Sequence, residues 1–268
     1  MNSRNEKETL FGLVNLMNKK EKAKLIDKYG KAGKRLVLLD YDGTLVNYEL
    51  IPDDAILPAH LVDILIKIID KPGTNVFIIS GRSHNDIDKL LGHIPIKIIA
   101  EHGAMIKENG QWKNQINEND QWKKDFFPAL NQITDACPKS FVEEKSFSLT
   151  WHYRNAEPDL GYECSRELIQ LLKGMINSYN LKILDGNKVV EILSNKTGKG
   201  RAVKNLLAQN SYDFVLSVGD DTTDEEMFEF FLNYSNAFTI KVGAGNTCAR
   251  YNLKDISNVE LLLKQLAG

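Results

Sequence analysis

The sequence predicts an α/β fold, in which a doubly wound parallel sheet forms the core and an α+β domain is inserted into it. Short apolar runs alternate with amphipathic helical segments, the pattern of parallel strands joined by crossover helices. Polar side chains follow directly after several of these runs. In the middle of the chain the pattern changes to segments rich in tyrosine and tryptophan, and this change marks the insertion.

Length and composition are those of a globular protein. The chain has 268 residues, of which 43% are hydrophobic and 26% charged, so it can bury a substantial core. The net charge of -2 gives no reason to expect nucleic acid or a membrane as a partner. No apolar run approaches the ~20 residues that a membrane-spanning helix needs. Three widely separated cysteines suit a reducing compartment, so we expect a cytoplasmic protein.

The core elements follow in a regular order after an N-terminal segment, residues 1–32, that reads as helical. Amphipathic spacing predicts a helix over about residues 58–70, one that ends at Leu91 and one that begins near Gly198. Four short apolar runs predict buried parallel strands: 36–39, 76–79, 97–100 and 214–218. We assign residues 33–106 and 188–268 to the core.

The insertion is expected to span residues 107–187. Its segment 146–154 alternates strictly between apolar and polar side chains, which predicts a half-exposed antiparallel strand. A helix over about residues 159–179 follows, and then two short strands flank the turn at Asp185-Gly186-Asn187. An antiparallel sheet with helices is therefore expected here.

Asp40 and Asp42 stand at the end of the first predicted strand. In extended backbone, residues i and i+2 point the same way, so both carboxylates can face one space beyond the strand. That end of a parallel strand borders the ligand crevice of an open α/β sheet. Two carboxylates forced together need a cation or a proton between them. We therefore expect chemistry with a divalent metal, and a plain Asp-Gly turn is the alternative.

A calcium loop of the helix-loop-helix kind fits this segment less well. It needs a third oxygen ligand before its glycine and a glutamate near its end. Here Gly43 follows Asp42 directly and Val46-Asn47-Tyr48 comes next.

Three further signals stand at strand ends or helix starts. Ser80-Gly81-Arg82 follows a strand, Lys199-Gly200 begins a helix, and the acidic run 219–225 follows another strand. Each has an ordinary structural explanation: a turn, a surface lysine, or a helix cap. The order of all four signals and their placement at strand ends or helix starts are much less expected by chance, and together they indicate a common site.

In these four motifs the sequence resembles the haloacid dehalogenase superfamily of aspartate-nucleophile phosphatases, over roughly residues 34–260. The resemblance implies that Asp40 attacks phosphorus and forms an aspartyl-phosphate. Asp42 would protonate the leaving oxygen and then activate water, and Ser80 would hold a phosphoryl oxygen. Lys199 would neutralise charge. Lys196 stands in the same segment and stays an alternative to Lys199, which we choose because a glycine follows it.

The resemblance also implies a Mg²⁺ cofactor. Its ligands would be Asp40, Asp220, Asp224 and the backbone carbonyl of Asp42. Mg²⁺ suits such a site because it takes a few carboxylates together with water and substrate phosphate.

Narrower motifs resemble one family, the trehalose-6-phosphate phosphatases. They are the run Gly219–Phe228, Ala100-Glu-His-Gly103, Glu143-Glu-Lys145 and His152-Tyr-Arg154. This resemblance implies a sugar phosphate as substrate and closure of the inserted domain over the core site. The residues that would contact the substrate are Gly81, Arg82, His102, Gly103, Glu143, Lys145 and Glu191.

Two other functions remain open at this point. One is another sugar-phosphate phosphatase, acting on sucrose phosphate or a mannosyl phosphate ester. The other is a regulatory domain that binds a sugar phosphate without cleaving it. The stretch before Arg35 is similar to the linker of bifunctional synthase-phosphatase chains. It would serve either as a short helical appendage or as a docking face for a partner, such as a trehalose-6-phosphate synthase.

Overall fold

The computed structural model describes residues 15–117 and 119–268. The chain divides into two compact units, one made of Met1–Lys113 with Gly198–Gly268 and one made of Asn114–Thr197. The strands in the described residues are β1 (Arg35–Leu39), β2 (Thr74–Ile79), β3 (Lys97–Ala100), β4 (Met105–Glu108), β5 (Gln111–Asn114), β6 (Phe141–Glu144), β7 (Ser148–His152), β8 (Leu181–Gly186), β9 (Val189–Ser194), β10 (Phe214–Gly219), β11 (Ala237–Val242) and β12 (Tyr251–Leu253).

The α-helices in the same residues are α1 (Lys19–Lys31), α2 (Ala59–Ile69), α3 (His84–Leu91), α4 (Lys123–Ala136), α5 (Pro158–Met175), α6 (Lys199–Gln209), α7 (Thr222–Phe230) and α8 (Ile256–Ala267). Several begin with a side-chain cap, which supplies acceptors for backbone N–H groups that have no partner inside the helix. Asn18 caps α1 and Asp221 caps α7, each with an acidic residue three positions later completing a capping box.

An eight-stranded sheet forms the centre of the first unit, in the order β12-β11-β10-β1-β2-β3-β4-β5. The pairs from β12 to β3 are parallel, and β4 is antiparallel to β3. In the middle of the sheet, Leu38 on β1 pairs with Ser217 on β10 and with Phe77 on β2. Strands buried on both faces carry continuous apolar runs, as the sequence predicted. The parallel arrangement brings the ends of β1, β2 and β10 to the same edge.

The second unit contains a four-stranded antiparallel sheet, in the order β6-β7-β9-β8. Trp151 and Ile192 lie on its apolar face and are fully buried. They form one hydrophobic cluster with residues of α4 and α5, such as Phe126 and Leu168. The cluster is the core of this unit.

The limits of the inserted unit differ from those expected from the sequence. The structure begins the second unit at Asn114, because Met105–Glu108 pairs with β3 and so extends the first sheet. It ends the unit at Thr197, because Val189–Ser194 pairs with β7 and β8. The predicted limits of 107 and 187 cut through both of these pairings.

Two local predictions also need correction. The alternating strand is not half-exposed, because Ser148 and Thr150 on its polar face are buried. The Ser148 hydroxyl donates to Glu191 Oε1, which satisfies this buried group. In the predicted N-terminal helix, residues 1–14 lie outside the described residues, and the helix begins at Lys19. Before it, Asn15–Met17 bonds with Asn252 on β12 instead.

Among the residues that the structure describes, no helix combines the length and the hydrophobicity needed to cross a bilayer.

We expect Leu38→Ala to destabilise the first unit by about 2–5 kcal/mol, because it removes a fully buried side chain from the central strand and leaves a cavity. Urea unfolding would measure the loss. Leu261→Ala is the matched control, since Leu261 is 54% exposed, and it should change the stability by no more than about 0.5 kcal/mol. Equal losses in both variants would contradict the assignment of β1 to the core.

Candidate active site

The predicted core residues meet where the parallel strands end. Asp40 follows β1, Ser80 follows β2 and Asp220 follows β10, while Lys199 is the first residue of α6. The backbone N–H of Asp40 still donates to Val218 O, so this carboxylate is fixed to the end of the sheet. The side chain of Asp40 is almost fully buried.

A buried lysine joins two of the carboxylates. Lys199 Nζ donates to Asp40 Oδ1 at 2.7 Å and to Asp224 Oδ1 at 2.8 Å. Burial acts to lower the pKa of Lys199, but the charges of Asp224 and Asp40 outweigh it and hold that pKa above its usual value. The ammonium therefore stays charged at neutral pH. Lys196, the alternative in the same segment, has an exposed side chain.

Asp224 also fixes the turn before α7. Its Oδ2 accepts the backbone N–H groups of Asp220 and Asp221, each at 3.0 Å. Both of its oxygens thus already accept hydrogen bonds from the protein. Asp224 stays a predicted metal ligand, and in this geometry it orients Lys199 and the turn that carries Asp220.

Three carboxylates crowd into this space. Ligand oxygens of Asp40, Asp220 and Asp224 lie within 4.8 Å of one another, an arrangement that could hold a metal ion. Burial and then the Asp224 charge raise the pKa of Asp220 to about 6. Burial is also the main cause that raises the pKa of Asp40. Asp220 Oδ1 is buried without a hydrogen-bond partner. These residues fit a divalent cation, which would satisfy that oxygen and offset the repulsion.

Asp42 is not part of that cluster through its carboxylate. Arg82 Nε donates to Asp42 Oδ2 and Arg82 Nη2 donates to Asp42 Oδ1, both at 2.7 Å. This two-point contact is the strongest geometry for a guanidinium and a carboxylate. From the sequence, Arg82 is expected to contact the substrate and the Asp42 carboxylate is expected to face the same space as Asp40. In the structure, Arg82 and Asp42 instead bond each other.

The loops after β2 and β3 pack tightly against each other. A side-chain carbon on Gly81 would lie 2.5 Å from the His102 ring, so only glycine fits there. His102 adopts the left-handed backbone conformation, with φ 52, and its carbonyl accepts the N–H of Gly198 just before Lys199. Ser80 is buried, and its Oγ accepts the N–H of Arg82. Ser80, predicted to bind phosphate, and His102, predicted to bind sugar, therefore lie on two loops that contact each other closely.

The glycine at position 43 lets the first motif and the acidic run 219–225 lie close together. A side-chain carbon at this position would lie 2.1 Å from Asp220 Oδ2, and its φ of 81 also favours glycine. The Asp220 carboxylate thus rests directly on the backbone of the first motif.

The second unit holds the other three predicted substrate residues. Lys145 Nζ donates to Glu191 Oε1 at 3.1 Å, and both side chains are nearly inaccessible to water. His152 bonds Glu143 at 2.7 Å. Burial acts to raise the pKa of Glu143, but the bonds and charges of His152 and Lys145 outweigh it, so that pKa lies below its usual value. These polar groups form a charged cluster on one face of the antiparallel sheet.

Three site residues were not predicted from the sequence. Thr44 Oγ1 donates to Asp40 Oδ2, Tyr48 Oη donates to Asp220 Oδ2, and Lys241 Nζ donates to Asp220 O. A charged residue inside the apolar run of β11 was a usable signal for Lys241. Thr44 lies within the first motif. Tyr48 gave no signal, because its neighbours in the chain are ordinary loop residues.

Comparisons with known proteins find a matching family model and similar sequences. The family model described as trehalose-phosphatase matches residues 38–257. A protein of Dictyostelium discoideum named alpha,alpha-trehalose-phosphate synthase [UDP-forming] B is 37% identical over 100% of this chain and 34% of its own length. A bifunctional trehalose-6-phosphate synthase/phosphatase of Thermoproteus tenax is 38% identical over 91% of this chain and 33% of its own length.

Among solved structures, the C-terminal domain of the trehalose-6-phosphate phosphatase of C. albicans superimposes with a TM-score of 0.89 at 28% identity. The match covers 96% of this chain and 99% of that domain. The chain spans about a third of the length of the curated relatives it matches.

Lys199→Met leaves the buried carboxylates of Asp40 and Asp224 without their cation. Because losing one partner of a buried ion pair costs about 3–5 kcal/mol, we expect a loss of this size at neutral pH without metal, measured by urea unfolding. The loss should shrink at acidic pH, since protonation removes the uncompensated charge. Lys196→Met, at an exposed position, should have little effect. A similar loss in both variants would contradict the role of Lys199.

Proposed function

Because the chain belongs to the trehalose-phosphatase family, we propose that it hydrolyses trehalose 6-phosphate to trehalose and phosphate in a Mg²⁺-dependent reaction. The observation that carries this proposal is the buried ion pair between Lys199 and Asp40 beside Asp220. A nucleophilic carboxylate must approach an anionic phosphate, so it needs cations beside it. Mere binding of a sugar phosphate gives no reason to bury a carboxylate in this way.

The reaction would run in two displacements. An oxygen of Asp40 attacks phosphorus and forms the aspartyl-phosphate bond while the bond to the sugar oxygen breaks, and Asp42 gives that oxygen a proton. Water then attacks phosphorus, Asp42 takes one of its protons, and the Asp40 carboxylate is released with phosphate. Covalent catalysis divides one difficult displacement into two easier ones. Ser80 would hold a phosphoryl oxygen throughout.

Asp40 and Asp220 would hold the metal, with the backbone carbonyl of Asp42 and with Asp224 as the further predicted ligands. When bound, Mg²⁺ supplies positive charge that offsets the repulsion between the nucleophile and the phosphate. The unpartnered Oδ1 of Asp220 supports this assignment. Lys199 contributes charge from the protein itself and keeps Asp40 in place through its 2.7 Å bond.

Arg82 would have two partners in turn. With both guanidinium bonds on Asp42, neither of its carboxylate oxygens is available to a leaving group, whereas the proposed acid must reach that group. We therefore propose that substrate draws Arg82 away from Asp42. The predicted role of Arg82 in substrate binding and its observed contact are then two states of one side chain.

Glu143, Lys145 and Glu191 of the second unit would recognise the sugar. Sugar hydroxyls are discriminated best by polar groups that a wrong ligand would leave unpaired. The low exposure of the Lys145–Glu191 ion pair supports this role. A wrong ligand that fails to match buried charged groups costs more binding free energy than one that fails to match exposed groups. His102, Gly81 and Gly103 would shape the sugar side of the first unit.

Association with a trehalose-6-phosphate synthase is also proposed. The relative from Thermoproteus tenax is named as a bifunctional synthase/phosphatase, and this chain covers 33% of its length. A synthase domain joined to the phosphatase in that relative supports a partner of the same kind here.

Asp40→Asn removes the charge and the nucleophilicity of the proposed attacking group while keeping its size. We expect wild-type protein to release phosphate from trehalose 6-phosphate with Mg²⁺ and not after chelation, and we expect Asp40→Asn to lose activity by several orders of magnitude. A colorimetric phosphate assay measures both. Asp27→Asn, at an exposed position of α1, is the matched control. Phosphate release retained in Asp40→Asn would refute the aspartyl-phosphate mechanism.

Glu191→Gln leaves Lys145 without its charged partner in the proposed sugar site. We expect the KM for trehalose 6-phosphate to rise about tenfold or more, because the buried Lys145 ammonium loses the negative charge beside it. Activity on para-nitrophenyl phosphate, which has no sugar and whose stable phenolate leaves without an acid catalyst, should change little. Glu163→Gln, exposed on α5, is the control. A panel with glucose 6-phosphate and sucrose 6-phosphate completes the test, and equal turnover of all three esters would contradict the substrate assignment.

A further inference from the structure

Asp220 is held by this chain at three separate points. Its backbone N–H donates to Asp224 Oδ2 at 3.0 Å, and its backbone carbonyl accepts from Lys241 Nζ. Its side-chain Oδ2 accepts the hydroxyl of Tyr48 at 3.1 Å. These bonds come from α7, from β11 and from the loop after β1. Oδ1 is left as the one side-chain atom of Asp220 without a hydrogen-bond partner, although it is buried.

Tyr48 differs from its neighbours in the loop after β1 because its side chain points inward. Its neighbours Asn47, Glu49, Leu50 and Ile51 are all exposed, whereas Tyr48 itself is partly buried. The loop therefore turns one side chain inward and ends it on a carboxylate. Neither the four sequence motifs nor the proposed chemistry uses this residue.

Asp40 and Asp220 accept hydrogen bonds from different kinds of donor, one charged and one neutral, and this difference affects metal binding. Asp40 accepts from the ammonium of Lys199, which neutralises part of its charge. Asp220 Oδ2 accepts from a phenol, which is a neutral donor. A neutral donor fixes the orientation of a carboxylate and leaves its negative charge for a cation. Gly43 leaves room for the Asp220 carboxylate in this position, since a side-chain carbon there would lie 2.1 Å from Oδ2.

We propose that Tyr48 is a positioning residue that holds Asp220 with Oδ1 directed to a divalent cation. The inference rests on the proposed function for the identity of the metal site, and it adds a residue outside the motifs that determines the affinity of that site. Partners in the outer shell of a metal site orient the ligands, and losing one typically costs about 10- to 100-fold in metal affinity.

The experiment compares wild-type protein with Tyr48→Phe, which removes only the hydroxyl. Titration calorimetry with Mg²⁺, and with Mn²⁺ as a second probe, measures the Kd directly on the full chain without substrate. Tyr48→Phe should bind each ion about 10- to 100-fold more weakly. The matched control is Tyr179→Phe in the second unit, which removes another tyrosine-aspartate hydrogen bond, to Asp125 at 2.9 Å. It should leave the Kd unchanged.

Steady-state kinetics give the second readout. The Mg²⁺ concentration for half-maximal activity should rise in Tyr48→Phe, while saturating Mg²⁺ restores kcat and the KM for trehalose 6-phosphate stays near the wild-type value. A purely structural role would lower the melting temperature without changing the metal Kd. A direct substrate contact would raise KM at saturating metal and leave the Kd unchanged. Either of these results would overturn the proposal.

A double-mutant cycle of Tyr48→Phe and Asp220→Asn tests the contact even if a variant binds the metal too weakly to measure. If Tyr48 acts through Asp220, the effects of Tyr48→Phe and Asp220→Asn on unfolding stability in metal-free buffer are strongly non-additive, whereas additive effects contradict the contact. The two proposals fail separately. Normal metal affinity in Tyr48→Phe refutes this inference and leaves the phosphatase function intact. Wild-type protein that binds the metal but releases no phosphate refutes the function and leaves the inference standing.

Discussion

The site depends on one buried cation, Lys199, which bridges carboxylates on two different elements. Asp40 ends a central strand and Asp224 lies in the first turn of α7, so the lysine ties the sheet to that helix. Without it, the carboxylates would face each other in a space that excludes water, and their repulsion would either protonate them or push them apart. This contact also fixes two neighbouring parts of the site. Asp224 holds the backbone of Asp220 in place, and Asp40 precedes the loop after β1.

Most of the fold and the centre of the site were predictable, because parallel strands end at one edge and the polar residues stood at those ends. β1, β3 and β10 were found close to their predicted limits, and the family resemblance is confirmed. The partner of Arg82 was not predictable, since it is set by side-chain torsions and by a loop forty residues away. Tyr48 was missed for a similar reason, because nothing in a loop sequence tells which side chain turns inward.

The limits of the inserted unit were wrong for a reason that applies to many insertions. A strand belongs to the sheet with which it pairs, and pairing is decided by partners far along the chain. Met105–Glu108 continues the first sheet as an antiparallel strand, whereas Val189–Ser194 is central to the second. Composition changes near such points but does not show on which sheet the hydrogen bonds are made.

Under the proposed function, the two-point contact between Arg82 and Asp42 would affect the discrimination among phosphate esters. While the guanidinium stays in place, both oxygens of the carboxylate are bonded to it and cannot serve a leaving group. A small ester that occupies only the phosphate side would therefore meet a nucleophile without an acid. If the alcohol part of the substrate displaces the arginine, only the right alcohol would make the acid available, and other esters whose alcohol needs a proton to leave would be cleaved slowly even when they bind.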